Sequence, residues 1–180
     1  AIRKLKAQGM QSFILDLRWN PGGLLDQAVD VCEKFLPRGQ LVVSTEGRNP
    51  AKSTVRNVTG RSGEFRDLPV AVLVNLGSAS ASEIVAGCLQ DCAVLGKCKA
   101  VVIGEKTFGK GSVQEIIPLE GGTALRLTTS KYYTPSHKVI HEHGITPDIT
   151  VPMTDEEEML ARLRVTPGGV ESAEEKDRDR

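Results

Sequence analysis

The sequence predicts an α/β domain, on three observations. Apolar runs of strand length recur at 12–17, 69–75 and 100–104, and amphipathic stretches of helix length lie between them. The first two runs end in turns of glycine and small residues, where backbone conformations closed to bulkier residues are available. Of the 180 residues, 39% are apolar and 26% charged, which suffices for one core with both faces of a sheet partly covered.

The elements follow in order. Residues 1–10 read as the last turns of a helix with Gly9 as its stop, as if the chain were cut from something longer. Ser12–Leu17 is the first buried strand, and Asn20-Pro21-Gly22-Gly23 the turn after it. A helix over Leu24–Leu36 places Leu25, Val29, Cys32 and Leu36 on one stripe, and Pro37 and Gly39 end it. Leu41–Thr45 and Ser53–Val58 are strands joined by a polar loop. Pro69–Asn75 is apolar almost throughout, the pattern of a strand buried on both faces. A small-residue turn, Gly77 to Ser82, leads into a helix to about Gln90, and Ala100–Gly104 is a further buried strand. Ser112–Ile117 and Ala124–Thr129 flank Gly121-Gly122 as a hairpin. Thr154 with Glu157 has capping-box spacing, so a helix runs from 154 to about 165. Residues 166–180 hold glycine, serine and charge and are expected to be disordered.

Composition excludes some classes of function. Lys+Arg and Asp+Glu both number 23, so there is no electrostatic attraction toward nucleic acid. No apolar run approaches the roughly 18 residues of a membrane span. Cys32, Cys88, Cys92 and Cys98 lack the paired C-x-x-C spacing of a structural zinc site. Cys92 and Cys98 bracket a short loop and suit either a disulfide or idle thiols. His137, His141 and His143 lie in one polar stretch and read as a solvated loop rather than a metal site.

Two positions suggest acyl-transfer chemistry. Ser80 stands where a buried strand gives way to a helix, so its hydroxyl shares space with the unpaired N–H groups of the helix start. A serine nucleophile needs those donors for the oxyanion and a base for its proton. Glycine at Gly22-Gly23 lets a second backbone donor approach closely. No acidic partner for a Ser–His–Asp set is evident, whereas Lys110 in Phe108-Gly109-Lys110-Gly111 offers an amine, a competent base where burial disfavours the ammonium form. Each motif alone equally describes a tight turn.

Together the motifs resemble the C-terminal processing peptidases, or tail-specific proteases. The resemblance rests on Leu15-Asp16-Leu17-Arg18-Trp19-Asn20-Pro21-Gly22-Gly23, Gly77-Ser78-Ala79-Ser80-Ala81-Ser82-Glu83-Ile84, Gly104-Glu105-Lys106-Thr107-Phe108-Gly109-Lys110-Gly111-Ser112-Val113-Gln114, Tyr132-Tyr133-Thr134-Pro135 and Gly144-Ile145-Thr146-Pro147-Asp148. It implies a crotonase/Clp-protease-like core of mixed sheet with flanking helices over residues 1–153. It implies a serine endopeptidase with a Ser–Lys dyad, needing no cofactor and no metal, that cuts near the C-termini of exported proteins in the periplasm or an equivalent lumen. Ser80 would be the nucleophile, Lys110 the base and Gln114 the residue orienting it, on the argument that residues four apart on a strand share a face. Ala81 with Gly22 or Gly23 would form the oxyanion hole, and Asp91 would be structural. The partner would be a protein or peptide with an exposed C-terminal tail. A PDZ domain, usual ahead of this core, is absent from the chain and expected in the full-length parent. The stretch between Asp91 and Lys110 is longer than usual, which predicts an extended loop after the nucleophile helix. The alternative is a non-catalytic module that binds peptides or apolar ligands on the same fold.

Overall fold

The computed structural model describes residues 1–60 and 62–165, so the tail expected at 166–180 lies outside the described residues. The chain divides into two units, Ala1–Thr150 and Val151–Arg180. In the first, the strands fall into two four-stranded sheets rather than one. The parallel sheet has the order β1-β4-β5-β8: β1 (Phe13–Asp16), β4 (Val70–Val74), β5 (Ala100–Gly104) and β8 (Ile149–Thr150). The antiparallel sheet has the order β3-β2-β7-β6: β3 (Thr54–Asn57), β2 (Leu41–Gly47), β7 (Ala124–Tyr133) and β6 (Ser112–Pro118). Val72 aligns with Leu15 on one side and Val102 on the other, which sets the register of the parallel sheet.

Three helices complete this unit: α1 (Ile2–Ala7), α2 (Leu25–Glu33) and α3 (Ala81–Val94). Helix α3 packs against α2, against β5 and against β2, so it meets both sheets. That position explains its composition. Every residue from Ala81 to Leu89 is buried, and the helix has little polar face to offer. Helix α2 is one-sided, burying Ala28, Val29 and Cys32. The core runs from Phe35 and Leu36 through Val72 and Val102 to Leu89 and Ile140, all nearly inaccessible. Gly87 allows a close contact on α3, since a Cβ there would stand 2.8 Å from Ile145 Cδ1 and 2.9 Å from Thr134 Cγ2.

Several boundaries differ from expectation, each for a local reason. Helix α2 stops at Glu33, and Lys34 to Leu36 form a turn that drops Phe35 and Leu36 into the core. Helix α3 continues four residues past Gln90 to Val94, so the stretch before β5 is taken up in a last helical turn and a short loop closed by Lys97 N–H on Cys92 O (2.8 Å). Strand β4 buries Val70, Val72 and Val74 but leaves Ala71 and Leu73 half-buried. In β5 only Val102 is buried, because α3 covers one face of that strand. All four cysteines are free thiols, so no Cys92–Cys98 disulfide forms. Burial pushes the Cys98 thiol up to about 12.

In the second unit, α4 spans Asp155–Val165. Its start has the reciprocal cap that the Thr154–Glu157 spacing predicts: Glu157 Oε2 accepts from the Thr154 N–H at 2.8 Å, and Thr154 Oγ1 accepts from the Glu157 N–H at 3.3 Å. Among the described residues no helix is long and apolar enough to cross a membrane.

Candidate active site

The turn between β4 and α3 holds Ser80 in a conformation that serine avoids. Its φ is 56° and ψ −117°, in the left-handed half of backbone space, and it serves as the N-cap of α3. Neighbouring serines fix the turn from both sides. Ser78 is wholly buried; its Oγ donates to Leu17 O at 2.7 Å and accepts the Asn75 N–H at 3.0 Å. Ser82 Oγ donates to Asn20 O at 3.0 Å, which also accepts the Ala79 N–H at 3.0 Å. The ends of β1 and β4 are thereby tied together, and the Ser80 side chain is left half-exposed.

Gly22 packs directly beneath this turn. A Cβ on it would lie 2.5 Å from Ala79 O, 2.7 Å from Ala81 N and 2.9 Å from Ser80 Cβ, and its φ of +92° suits glycine alone. The structure therefore brings Gly22, Ser80 and Ala81 together as the sequence suggests. The Gly22 N–H donates to Asn20 Oδ1 at 2.9 Å. Among the described residues, no hydrogen bond engages the N–H groups of Ala81 and Gly23.

The residue that sequence reasoning passed over is Glu83, whose side chain is fully buried. Its Oε2 accepts from the Ser80 N–H at 2.7 Å and from the Lys110 N–H at 2.8 Å. Its Oε1 accepts from Thr107 Oγ1 and from the Gly109 N–H, each at 2.6 Å. One carboxylate oxygen thus stands on the backbone of both Ser80 and Lys110, which brings their nitrogens within two hydrogen-bond lengths of each other. Four donors also solve the problem of burying a charge in a core. The signal was present, since Ser80-x-x-Glu83 has the same spacing as Thr154-x-x-Glu157.

The side chains of Lys110 and Gln114 depart from expectation. Lys110 is exposed, not buried, and no hydrogen bond joins it to Ser80 Oγ among the described residues. It lies in the loop before β6, and a register irregularity falls between Val113 and Gln114. Alternation of faces therefore cannot be counted from Lys110 to Gln114, and Gln114 is exposed.

Asp91 anchors a different loop. It is buried, accepts the Ser136 N–H at 2.9 Å and the Ser136 hydroxyl at 2.7 Å, and pairs with Lys138 Nζ at 3.0 Å. Burial pushes its carboxyl up, but hydrogen bonds from Thr134, Ser136 and Lys138 outweigh this and hold it below the usual carboxylate range. A lowered value contributes stability that is fully present above the unfolded-state pKa of about 3.9 and lost as pH falls through the folded one. Asp91→Asn should therefore be less stable than the wild type at neutral pH. Urea unfolding curves of the two proteins should converge as pH drops below about 4.

The histidines act locally. His137 stacks on Tyr133 at 4.6 Å and pairs with Glu46 at 2.8 Å, and His143 Nδ1 bonds to His141 O at 2.9 Å. No group of three or more metal-ligating side chains is found among the described residues. One cavity, about 730 Å³, lies between β2 and β7 with Glu46, Arg48, Lys52, Thr129, Lys131 and Tyr133 among its walls, and includes none of Gly22, Ser80, Ala81, Glu83 and Lys110. A smaller one, about 350 Å³, is walled by Gly22, Gly23, Ala81 and Ser82. The backbone donors of Gly23 and Ala81 belong to this second cavity.

Residues 1–151 match Peptidase family S41. A carboxy-terminal-processing protease of Bartonella bacilliformis is 52% identical over 149 residues, covering 82% of this chain and 32% of the relative. A carboxyl-terminal-processing protease of a Synechocystis species is 42% identical over 151 residues, covering 84% and 33%. Among solved structures, a photosystem II D1 C-terminal processing protease superposes with a TM-score of 0.74 at 32% identity, covering 91% of this chain and 41% of that one. The chain spans about a third of the length of these curated relatives. It belongs to peptidase family S41.

Proposed function

We propose that the full-length protein is a serine endopeptidase that cuts polypeptides near their C-termini, and that this chain carries its chemistry. The observation that carries the reading is the strained Ser80 at the start of α3, held against Gly22 and bridged to the Lys110 backbone by Glu83. Ser80 Oγ attacks the scissile carbonyl and gives its proton to the Lys110 amine. The oxyanion forms against the N–H groups of Ala81 and Gly23. Lys110 then passes the proton to the leaving amine, and water hydrolyses the ester on Ser80. Gln114 orients Lys110 once its side chain turns inward. The exposed Lys110 corresponds to a resting site, and the remainder of the full-length protein, a PDZ domain included, draws it onto Ser80 when a tail binds. Substrates are exported proteins met outside the cytoplasm, a reading supported by family resemblance.

The test is cleavage of an unstructured C-terminal tail by the full-length protein. Ser80→Ala and Lys110→Ala should each lower kcat/KM by a factor on the order of 10³ or more. Equal activity in all three proteins would sink the dyad.

A further inference from the structure

The motif Gly144-Ile145-Thr146-Pro147-Asp148 takes no part in the steps above, yet it is fastened to the site at both ends. Asp148 Oδ2 accepts the Val102 N–H of β5 at 2.8 Å, and Asp148 Oδ1 accepts from Gln90 Nε2 at 2.8 Å. Gln90 Nε2 also donates to Thr146 O at 2.9 Å. Gln90 stands on α3, the helix that Ser80 caps, so the segment and the Ser80 turn share one rigid support. The other end of the motif meets the Lys110 loop at Thr107, which is buried. The Thr107 N–H donates to Ile145 O at 3.1 Å, and Thr107 Oγ1 accepts the Ile145 N–H at 2.7 Å. Gly144 lies against the same residue, since a Cβ on it would stand 2.5 Å from Thr107 O. A hydroxyl has a single proton to donate. With the Ile145 N–H on one lone pair, the Thr107 proton is left to point at Glu83 Oε1, 2.6 Å away.

We infer that Thr107 is a positioning residue for the Ser80–Lys110 pair, and that the 144–148 segment is its footing. The inference rests on that pair as the reacting groups. Glu83 holds the Ser80 and Lys110 backbones with Oε2 and the Gly109 backbone with Oε1, so a rotation of the carboxylate displaces all three. Gly109 travels with the Lys110 loop and gives Oε1 no fixed reference. Thr107 does, because Ile145 holds its hydroxyl from the far side. The bonds make a closed path from Ser80 along α3 to Gln90, across to the 144–148 segment, and back through Thr107 and Glu83. A displacement of the 144–148 segment therefore reaches the reacting groups, although none of its residues touches them in that path. A separate tie, the Phe108 N–H on Ser78 O at 3.0 Å, keeps the loop on the Ser80 turn when Thr107 is altered. Thr107 is buried and offers a substrate no surface, so loss of its hydroxyl acts on kcat rather than on KM.

The measurement is kcat and KM of the full-length protein on one tail peptide, expressed per folded molecule from urea unfolding curves. Thr107→Val keeps the shape without the hydroxyl, and should lower kcat about 100-fold with KM within about threefold of wild type. Thr107→Ser restores the hydroxyl and should bring kcat back to within about fivefold of wild type. Gln90→Ala, at a surface contact on the far side of the path, should lower kcat about fivefold alone and less than about twofold in a Thr107→Val background, where the path is already broken. Cleavage that persists in Ser80→Ala overturns the peptidase site and this positioning role with it. Cleavage that depends on Ser80, with equal kcat in Thr107→Val and Thr107→Ser, overturns the role of the hydroxyl alone. Effects of Gln90→Ala and Thr107→Val that simply multiply overturn the footing. Where Thr107→Val does not fold, Gln90→Ala is read by itself, and a wild-type kcat there overturns the inference.

Discussion

Glu83→Ala in the full-length protein should abolish tail cleavage and lower stability together, a pairing that Ser80→Ala should not produce. The carboxylate accepts four hydrogen bonds from Ser80, Thr107, Gly109 and Lys110. Alanine leaves these donors facing an empty core position, and each buried donor left unpaired costs about 1–3 kcal/mol. Relaxation recovers some of that, and the rest appears as a lower urea midpoint with an unchanged slope. Activity falls for a separate reason. The backbones of Ser80 and Lys110, the proposed nucleophile and base, are held by one oxygen, so without it the two loops no longer share a reference point, and small misplacements cost large factors in rate. Glu83→Gln keeps the shape but turns an amide NH₂ toward at least one N–H donor, that of Gly109 on one side or those of Ser80 and Lys110 on the other. It should retain more stability than alanine while losing activity by at least about 100-fold. A Glu83→Ala protein with wild-type kcat/KM would refute the positioning role.

Gly22→Ala is the second severe change. The added methyl would stand 2.5 Å from Ala79 O and 2.7 Å from Ala81 N, and both are backbone atoms that cannot swing aside. The φ of +92° adds the penalty of a left-handed residue, about 1–2 kcal/mol. Either the Gly22 turn or the Ser80 turn has to shift. A shift of Ser80 and Ala81 moves the proposed nucleophile and a proposed oxyanion donor at once, so kcat/KM should fall by at least about 100-fold. Gly23 is the control for stability. A Cβ there meets nothing within 4 Å, so Gly23→Ala should unfold within about 0.5 kcal/mol of the wild type. Equal stability of the two variants would show that the close approach at Gly22 is not constraining.

The parts of the site that were legible in the sequence are those written in residue size. Small residues at 77–82 and glycines at 22–23 mark where chains approach closely, and Gly22 does meet the Ser80 turn. The alternation of apolar runs and amphipathic stretches gave β4 and β5 nearly at their bounds and α2 with its end three residues too late. Side-chain direction was not legible. Lys110 sits between glycines, with no apolar pattern to say whether it points in or out, and it points out. Gln114 was counted along a strand that begins only at Ser112 and breaks register before it. Glu83 escaped notice because a capping residue and a core residue carry the same spacing. Only burial by α3's neighbours distinguishes it from Glu157, whose cap is in solvent. The apolar run at β5 read as buried because a sequence does not record that a helix covers one face alone.

The left-handed backbone at Ser80 has a consequence for what sequence can survive at this position. Glycine would adopt a φ of 56° freely, so replacing Ser80 by glycine relieves roughly 1–2 kcal/mol of local strain. Selection for stability and selection for chemistry therefore pull in opposite directions at one residue. A lineage released from the need to cut peptides would drift toward glycine here and gain a sturdier fold by doing so. Serine in that geometry, with its β-carbon 2.9 Å from where a Gly22 β-carbon would stand, is what the proposed reaction would hold in place against that pull.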